Sequence, residues 1–578
     1  MSKDTLTRIL RYMGKYKGYV FIAFIAAILS VVSSLMGPML IGKSIDRMMG
    51  VGGVDFAAIF RILILLAIVY ATGNLFVWLL TYLANLISYR TVNDMRHQLI
   101  DKINTLPLKF YDSNAHGDTI SCFINDMDAI SDGMLQGIST LLTGIVTIIG
   151  AIAFMMYISP IMTVVVLLSA PASFMMARFI TKRSQKMFKT QAESLGKLNG
   201  YIEEIIGGQK VVQAFNYEER SFKEFKKINN TLYSSGVKSQ FYGSLSGPTT
   251  RLVNNITYIA IGVIGSILSI LGKLTVGDIS SFLIYSNLFA KPFNDITGVF
   301  TQIQSAVASA QRIFYILDMP SEKPDGKDSI NIKHSQGAIS FNDVNFSYNP
   351  KQPLITNFNL EVKPGTRVAI VGQTGAGKTT IVNLLMRFYD IDSGSITVDG
   401  IDIKTIARED LRCSFGMVLQ DSWLFSGSIG ENIAYGKPEA TDEEVIAAAK
   451  ASGAHDFIKC LPKGYDTLIS DAGENLSQGQ KQLLTIARVM LVDPPMLILD
   501  EATSNIDTRT EIHIQKAFLK MMEGRTSFVI AHRLSTIREA DLILVLDNGN
   551  VVESGTHNQL LKNGSYYEKL YNSQFAPV

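Results

Sequence analysis

A chain of 578 residues exceeds what one hydrophobic core supports, domains running at about 100–200 residues each. Hydrophobic residues make up 47% and charged residues only 18%, against roughly 25% charged in soluble domains, and the shortfall lies in residues 18–315, so a membrane half joined to a soluble half is expected. A net charge of +2 with no dense basic patch argues against nucleic acid as a partner, and three cysteines (Cys122, Cys413, Cys460) without C-x-x-C spacing suggest neither a disulfide framework nor a zinc site.

In chain order, Met1 to Lys17 is basic and precedes an apolar run, the outline of a signal peptide. Tyr19 to Ile41 is longer than a typical h-region, however, and shows no convincing cleavage site. Leu6, Ile9, Leu10 and Met13 recur at helical spacing among Lys3, Arg8, Arg11 and Lys15, which predicts an amphipathic helix on the inner membrane surface. Six stretches are long and apolar enough to span a bilayer: 19–41, 60–83, 135–158, 160–180, 253–272 and 279–303. The turn at Ser159-Pro160 and the connection 272–278 are short and nearly uncharged. Residues 84–134 and 181–250 are long, charged and helical in pattern, and the eleven Lys or Arg between Lys182 and Lys238 place the second of them in the cytoplasm. Both chain ends and the soluble half are then cytoplasmic, in a multi-pass protein of the cell inner (cytoplasmic) membrane. Breaks at Gly117 (within 114–130) and at Gly207-Gly208 (within 203–215) read as tips of rods extending from the membrane, with ordinary loops as the alternative. Lys291 and Asp295 stand one turn apart in the sixth span, where they pair either as part of a substrate path or as a structural contact.

Residues 319–336 are polar and broken by Pro and Gly, and they mark a linker. FNDVNFSY at 341–348 alternates like a strand and ends at Tyr348, an aromatic placed where it can stack on a base. Thr366 to Val371 is an apolar, β-branched strand, Gly372 to Thr379 matches G-x-x-x-x-G-K-[ST], and a helical pattern follows at 381–388. Gly375 and Gly377 let backbone N–H groups converge on an anion, and the helix adds its positive end. Lys378 supplies a cation for the β- and γ-phosphates and Thr379 a hydroxyl for Mg²⁺. Gly372, Thr374, Ala376 and Thr380 belong to the same nucleotide-binding stretch. The strand within 414–425 ends in Gln420, within reach of a metal or an attacking water. Ser477, Gln478, Gly479 and Gln480 open a helix whose start forms a second anion-binding end. MLILDE at 496–501 is an apolar strand ending in two carboxylates: Asp500 for Mg²⁺, Glu501 to orient or deprotonate water. SFVIAHR at 527–533 is another strand, and it leads to His532 near where the γ-phosphate would lie.

In this order the motifs resemble those of half-transporters of the ATP-binding cassette (ABC) exporter superfamily, type IV fold, over essentially the full chain. Gly372–Thr379 is like Walker A, Leu476–Gln480 the signature and Met496–Glu501 Walker B. Tyr348, Gln420 and His532 fall where the family keeps its base-stacking tyrosine, Q-loop glutamine and switch histidine, and Ser504-Asn505-Ile506-Asp507 falls at the D-loop. The resemblance implies an all-α six-helix transmembrane domain (1–318), the linker, and an α/β P-loop NTPase domain, the ABC ATPase (337–578). It implies ATP and Mg²⁺ as cofactors, with each ATP sandwiched between one chain's Walker motifs and another's signature, and it matches the rod tips to coupling helices. The partner is therefore a second half-transporter. LSQGQ in place of LSGGQ, Asn505 in the D-loop and Asp471 where relatives carry Glu favour a heterodimer over a homodimer. The expected activity is ATP-driven export of a hydrophobic small molecule, lipid or peptide from contact with membrane lipid, with an importer or an ATP-gated channel on the same fold as alternatives.

Overall fold

The computed structural model describes residues 3–49, 54–322, 325, 330, 335–420, 422–469, 475–500, 508–531 and 534–574. The chain divides into two compact units: Met1–Thr105 with Asn114–Pro320, and Leu106–Ser113 with Ser321–Val578.

The first unit is all-α. A short helix, Lys3–Met13, precedes the long helices Lys17–Met48 and Phe56–Asn104. A helical run with two π-turns then extends from His116 to Ile158, followed by Pro160–Gly207, Glu218–Ser244 with Ser246–Ile270, and Val276–Asp318. Each of the six apolar stretches falls on one of these runs. Among the described residues, Asp4–Met48, Phe56–Asn104, His116–Ile158 and Arg251–Ile270 are long and apolar enough to cross a membrane. Ser159 starts the fourth long helix sharply: its hydroxyl caps Met162 N–H and Pro160 takes the first helical position, where no N–H is needed.

The expected tip at 114–130 lies elsewhere. Residues 116–130 are helical throughout, and the chain turns instead at 105–115, around the short helix Leu108–Ser113. Pro107 explains the shift, because the residue before a proline is driven out of the helical region, whereas Gly117 is tolerated in a helix's first turn. The 203–215 tip is where the pattern placed it. The helix ends at Gly207, Gln209–Ala214 forms a short helix, and Asn216 turns the chain with φ +48°.

Glycines let Lys17–Met48 and Val276–Asp318 approach closely. A Cβ on Gly42 or Gly277 would collide with the other helix's backbone. Asp46 accepts hydrogen bonds from Gly277 N–H (2.7 Å) and the Thr275 hydroxyl (2.8 Å), and Ser281 donates to Pro38 O at 2.9 Å. Lys291 and Asp295 are both exposed, and among the described residues no ion pair joins them.

Among the described residues of this unit, Asp126 is the buried charge. Its carboxylate, 2% exposed, sits in a π-turn and pairs with Arg312. Removing the guanidinium leaves a buried carboxylate uncompensated. Arg312→Ala is therefore expected to destabilise the first unit by about 3 kcal/mol, the low end for breaking a buried pair because Arg312 is itself well exposed. Thermal unfolding in detergent measures it, and Asp126→Asn in the same chain should restore most of the loss.

The second unit is α/β. Its strands are β1 Ile339–Phe346, β2 Ile355–Val362, β3 Arg367–Gly372, β4 Ser393–Val398, β5 Ile401–Asp402 and β6 Phe415–Val418. They continue with β7 Gly427–Ser428, β8 Leu468–Ile469, β9 Met496–Asp500, β10 Thr526–Ile530, β11 Leu542–Asp547 and β12 Asn550–Gly555. An antiparallel sheet, β2-β1-β4-β5, stands beside a six-stranded sheet of order β12-β11-β3-β10-β9-β6 that is parallel except for β12.

Period-two alternation sorts the larger sheet's side chains onto two faces. Val368, Ile370, Met496, Ile498, Phe528 and Ile530 pack in one apolar cluster with Ile381, Val382 and Leu385 of the helix Lys378–Leu385. Leu497, Leu499 and Val529 pack in another, with Leu483, Leu484 and Ala487 of the helix Gln478–Val492. The two helices that begin at the anion-binding motifs therefore cover opposite faces of one sheet.

Candidate functional site

The site lies at the carboxyl ends of the parallel strands, where an open α/β sheet binds ligands. β3 ends in Gly372 and runs straight into the phosphate loop. Gly375 and Gly377 have φ +85° and +96°, left-handed values that a side chain would strain, and Gly377 caps the helix that follows. The Lys378 ammonium donates to the carbonyls of Gly372 (2.8 Å) and Gln373 (3.0 Å), so the cation is folded over the loop it serves. Burial pushes the Lys378 pKa down, and the nearby Asp500 carboxylate partly offsets it. A half-buried ammonium held this way gains most when a polyanion enters the loop. Thr379 is exposed, whereas Thr380 is buried and faces Tyr348.

Strand register brings the remaining residues to the loop. Ile530 is paired with Ile370 on one side and with Asp500 on the other, which sets Asp500 level with Ile370, two residues before β3 ends. Gln420 follows the edge strand β6 by two residues and is exposed. Threonine hydroxyl, glutamine carbonyl and aspartate carboxylate are hard oxygen donors of the kind Mg²⁺ takes. Among the described residues no group of three or more His, Cys, Asp or Glu would hold a metal by itself. Mg²⁺ bound by one or two carboxylates together with substrate phosphates fits such a donor set. Glu501, His532, Asp471 and the stretch 504–507 lie outside the described residues.

Tyr348 stands just beyond β1, 39% exposed, with its hydroxyl donating to Thr380 Oγ1 at 3.2 Å. Its ring meets Phe346 and Tyr389 edge-on, at 4.8 and 4.9 Å between centroids. The signature opens its helix with a reciprocal cap: Gln480 N–H donates to Ser477 Oγ at 3.3 Å and Ser477 N–H to Gln480 Oε1 at 2.9 Å. Gln480 is thereby occupied within its own chain, Gly479 is buried, and Ser477 and Gln478 face outward.

One functional contact escaped sequence reasoning. The β11–β12 hairpin turns at Asn548-Gly549, both with positive φ, and Gly549 N–H donates to Ala376 O of the phosphate loop at 3.0 Å. The Asn-Gly dipeptide announces the turn. Nothing in it announces a loop more than 170 residues away as its partner.

Comparison with known proteins agrees with this geometry. The ABC transporter transmembrane region family matches residues 20–293, and the ABC transporter family matches residues 355–504. The ABC transporter ATP-binding protein YfiC of Bacillus subtilis is 42% identical over 574 residues, covering 99% of this chain and 95% of that one. A fatty acid ABC transporter ATP-binding/permease protein of Mycobacterium bovis is 44% identical over 517 residues, 89% of this chain and 82% of its own. The structure of a bacterial Atm1-family ABC exporter with ATP bound superposes with a TM-score of 0.78 at 29% identity, over 97% of this chain and 99% of that one. With a membrane-region match and an ATPase-domain match on one polypeptide, and a phosphate loop, signature helix and Walker B strand built as described, the chain belongs to the ABC transporter family, as an exporter-type half-transporter that couples ATP hydrolysis to transport.

Proposed function

We propose that two half-transporters close around ATP, each nucleotide held by the phosphate loop of one chain and the signature helix of the other, and that the pair exports hydrophobic or amphipathic compounds. The observation that carries the dimer is the sorting of the two helices onto opposite faces of the sheet. A chain whose signature helix lies behind the sheet that presents its phosphate loop needs another chain's signature to close the site. The exposed Ser477 and Gln478 supply that closing surface for the partner. Tyr348 stacks on the base, the stretch Gly372–Thr380 wraps the phosphates, and Glu501 and His532 act at the γ-phosphate. Mg²⁺ would be held by Thr379, Gln420 and Asp500, and it would neutralise charge developing on the phosphates.

Gln478 places a side chain where closely approaching backbone suits the partner's nucleotide, which favours a heterodimer with two unlike sites. Six crossings, of residues 1–318, put both termini on the cytoplasmic side of the inner membrane, with residues 319–336 as the linker to the ATPase domain. Support for the substrate class comes from the aliphatic and aromatic surface of the spans and from the fatty acid transporter named above.

The test uses sealed vesicles with the nucleotide units outward. The transporter is expected to accumulate a fluorescent long-chain fatty acid inside them only when Mg-ATP is present. Lys378→Ala should abolish accumulation and ATP hydrolysis together. Accumulation without ATP, or ATP-driven loss of preloaded fatty acid, would sink the export reading. Native mass measurement of the complex decides the partner, since a homodimer with two equally active sites overturns the heterodimer.

A further inference from the structure

The short helix Lys3–Met13 roofs a cavity of about 310 Å³ inside the first unit, and every residue that lines it is apolar. Leu6, Ile9 and Met13 belong to the roof, and the walls come from three other helical runs. Val20 and Ala23 lie at the start of the first apolar stretch (19–41), Gly137 and Leu141 at the start of the third (135–158), and Ile303 at the end of the sixth (279–303). With six crossings, the starts of the first and third and the end of the sixth fall on one side of the membrane, the side of the amphipathic roof. The cavity is thereby set where the headgroups of the inner leaflet meet their acyl chains.

Two features hold this space open. Arg8 pairs with Asp318 at 2.7 Å, Lys15 with Asp94 at 2.9 Å, and the Tyr12 hydroxyl donates to Gln98 at 2.6 Å, so the roof is tied to two different long helices. The wall at Gly137–Leu141 is a π-turn, a widening of the helix that recurs at functional sites. Gly137 adds no side chain there, and a Cβ on it would come no nearer to Ile303 than 3.8 Å. Leu10 and Phe24, 54% and 45% exposed, give the cavity an apolar rim. A cavity without polar lining stays dry and takes an apolar guest, and this one has the volume of a small ligand pocket. The surrounding charges name the guest. Arg8 and Lys15 are paired, but among the described residues Arg11 and Lys17 have no ion-pair partner, and both are exposed. Arg11 adjoins Leu10 of the rim, and Lys17 precedes Val20 by one helical turn on the same face.

We propose that this cavity seats one acyl chain of an anionic phospholipid of the inner leaflet, with Arg11 and Lys17 holding the headgroup phosphate. The seated chain fills the space between the roof and the ends of three spans. The site rests on the placement of the Lys3–Met13 helix at the inner membrane surface. It is independent of what is exported, which the vesicle assay tests separately.

The experiment is a native mass titration of the full-length transporter, stripped of lipid in mild detergent, with dioleoyl phosphatidylglycerol. One lipid per chain is expected to be held more tightly than any other. Dioleoyl phosphatidylcholine, with the same chains and no net charge, should bind there at least about tenfold more weakly, as two cations beside one anionic headgroup predict. The double variant Arg11→Gln/Lys17→Gln should erase that preference while leaving phosphatidylcholine within about twofold of its original affinity. Gly137→Leu and Ile303→Phe fill the cavity from two different walls, and each should weaken both lipids at least about tenfold. Basal ATP hydrolysis and the thermal midpoint report whether each variant folds, and either one alone decides the point. No tightly held lipid in the unmodified transporter, full retention in a folded filling variant, or a charge preference that survives Arg11→Gln/Lys17→Gln overturns the proposal. Oleate that displaces phosphatidylglycerol at equal concentration makes the guest a free fatty acid and overturns it as well.

Discussion

Glu501→Gln is expected to lower steady-state ATP turnover about 10³-fold while leaving ATP binding near its original strength, the loss that follows when a general base is replaced by a neutral isostere. The expectation is built from the residue before it. Asp500 ends β9 level with Ile530 and Ile370, one strand removed from the β3 that feeds the phosphate loop. Binding survives because its main determinants, the loop's N–H groups and Lys378, are untouched. Lys378→Ala provides the contrast, losing binding and turnover together. Rapid-mix hydrolysis with equilibrium binding of a fluorescent ATP analogue separates the two, and turnover within about tenfold of the original in Glu501→Gln would remove Glu501 from the role of base.

The second large effect is on stability. Gly549→Ala is expected to cost about 3 kcal/mol, combining a left-handed residue's strain with overpacking. Gly549 has φ +78°, and an added Cβ would run into the carbonyl of Leu354 on the approach to β2. The hairpin would have to back away, and with it the N–H that donates to Ala376 O. Gly524→Ala isolates the strain: its φ is +72°, yet nothing lies within 4 Å of the added carbon, so about 1 kcal/mol is expected. At about 2–4 °C per kcal/mol for a unit of this size, the first variant should melt about 6–12 °C lower and the second about 2–4 °C lower. Equal shifts would show that the hairpin's close approach to Leu354 contributes nothing.

How far the sequence reaches differs between the two units. In the membrane unit each apolar stretch fell on a long helical run, because a bilayer demands length and hydrophobicity, and both are local properties of a chain. The position of the first turn was misread. Gly117 looked like the break, but a glycine merely weakens a helix whereas Pro107 forbids its continuation. The pairing proposed for Lys291 and Asp295 also failed to form: four-residue spacing permits a contact without compelling it, and both side chains point outward. In the ATPase unit the phosphate loop, the signature and the Walker B strand were legible because phosphate chemistry requires particular residue types at particular spacings, and a motif of that kind is local too.

By itself, then, the sequence determined the family, the division into membrane and ATPase halves, and the motifs from which a nucleotide site is expected. The tertiary structure alone decided which of those residues share a side. The strand order β11-β3-β10-β9 brings Asp500 to the phosphate loop, and side-chain alternation sends the signature helix to the opposite face. It also decided that Gly549 supports the loop and that the helix Lys3–Met13 meets the ends of three spans. These are contacts between segments far apart along the chain. They are set by sheet register and packing, and short-range periodicity carries no record of them.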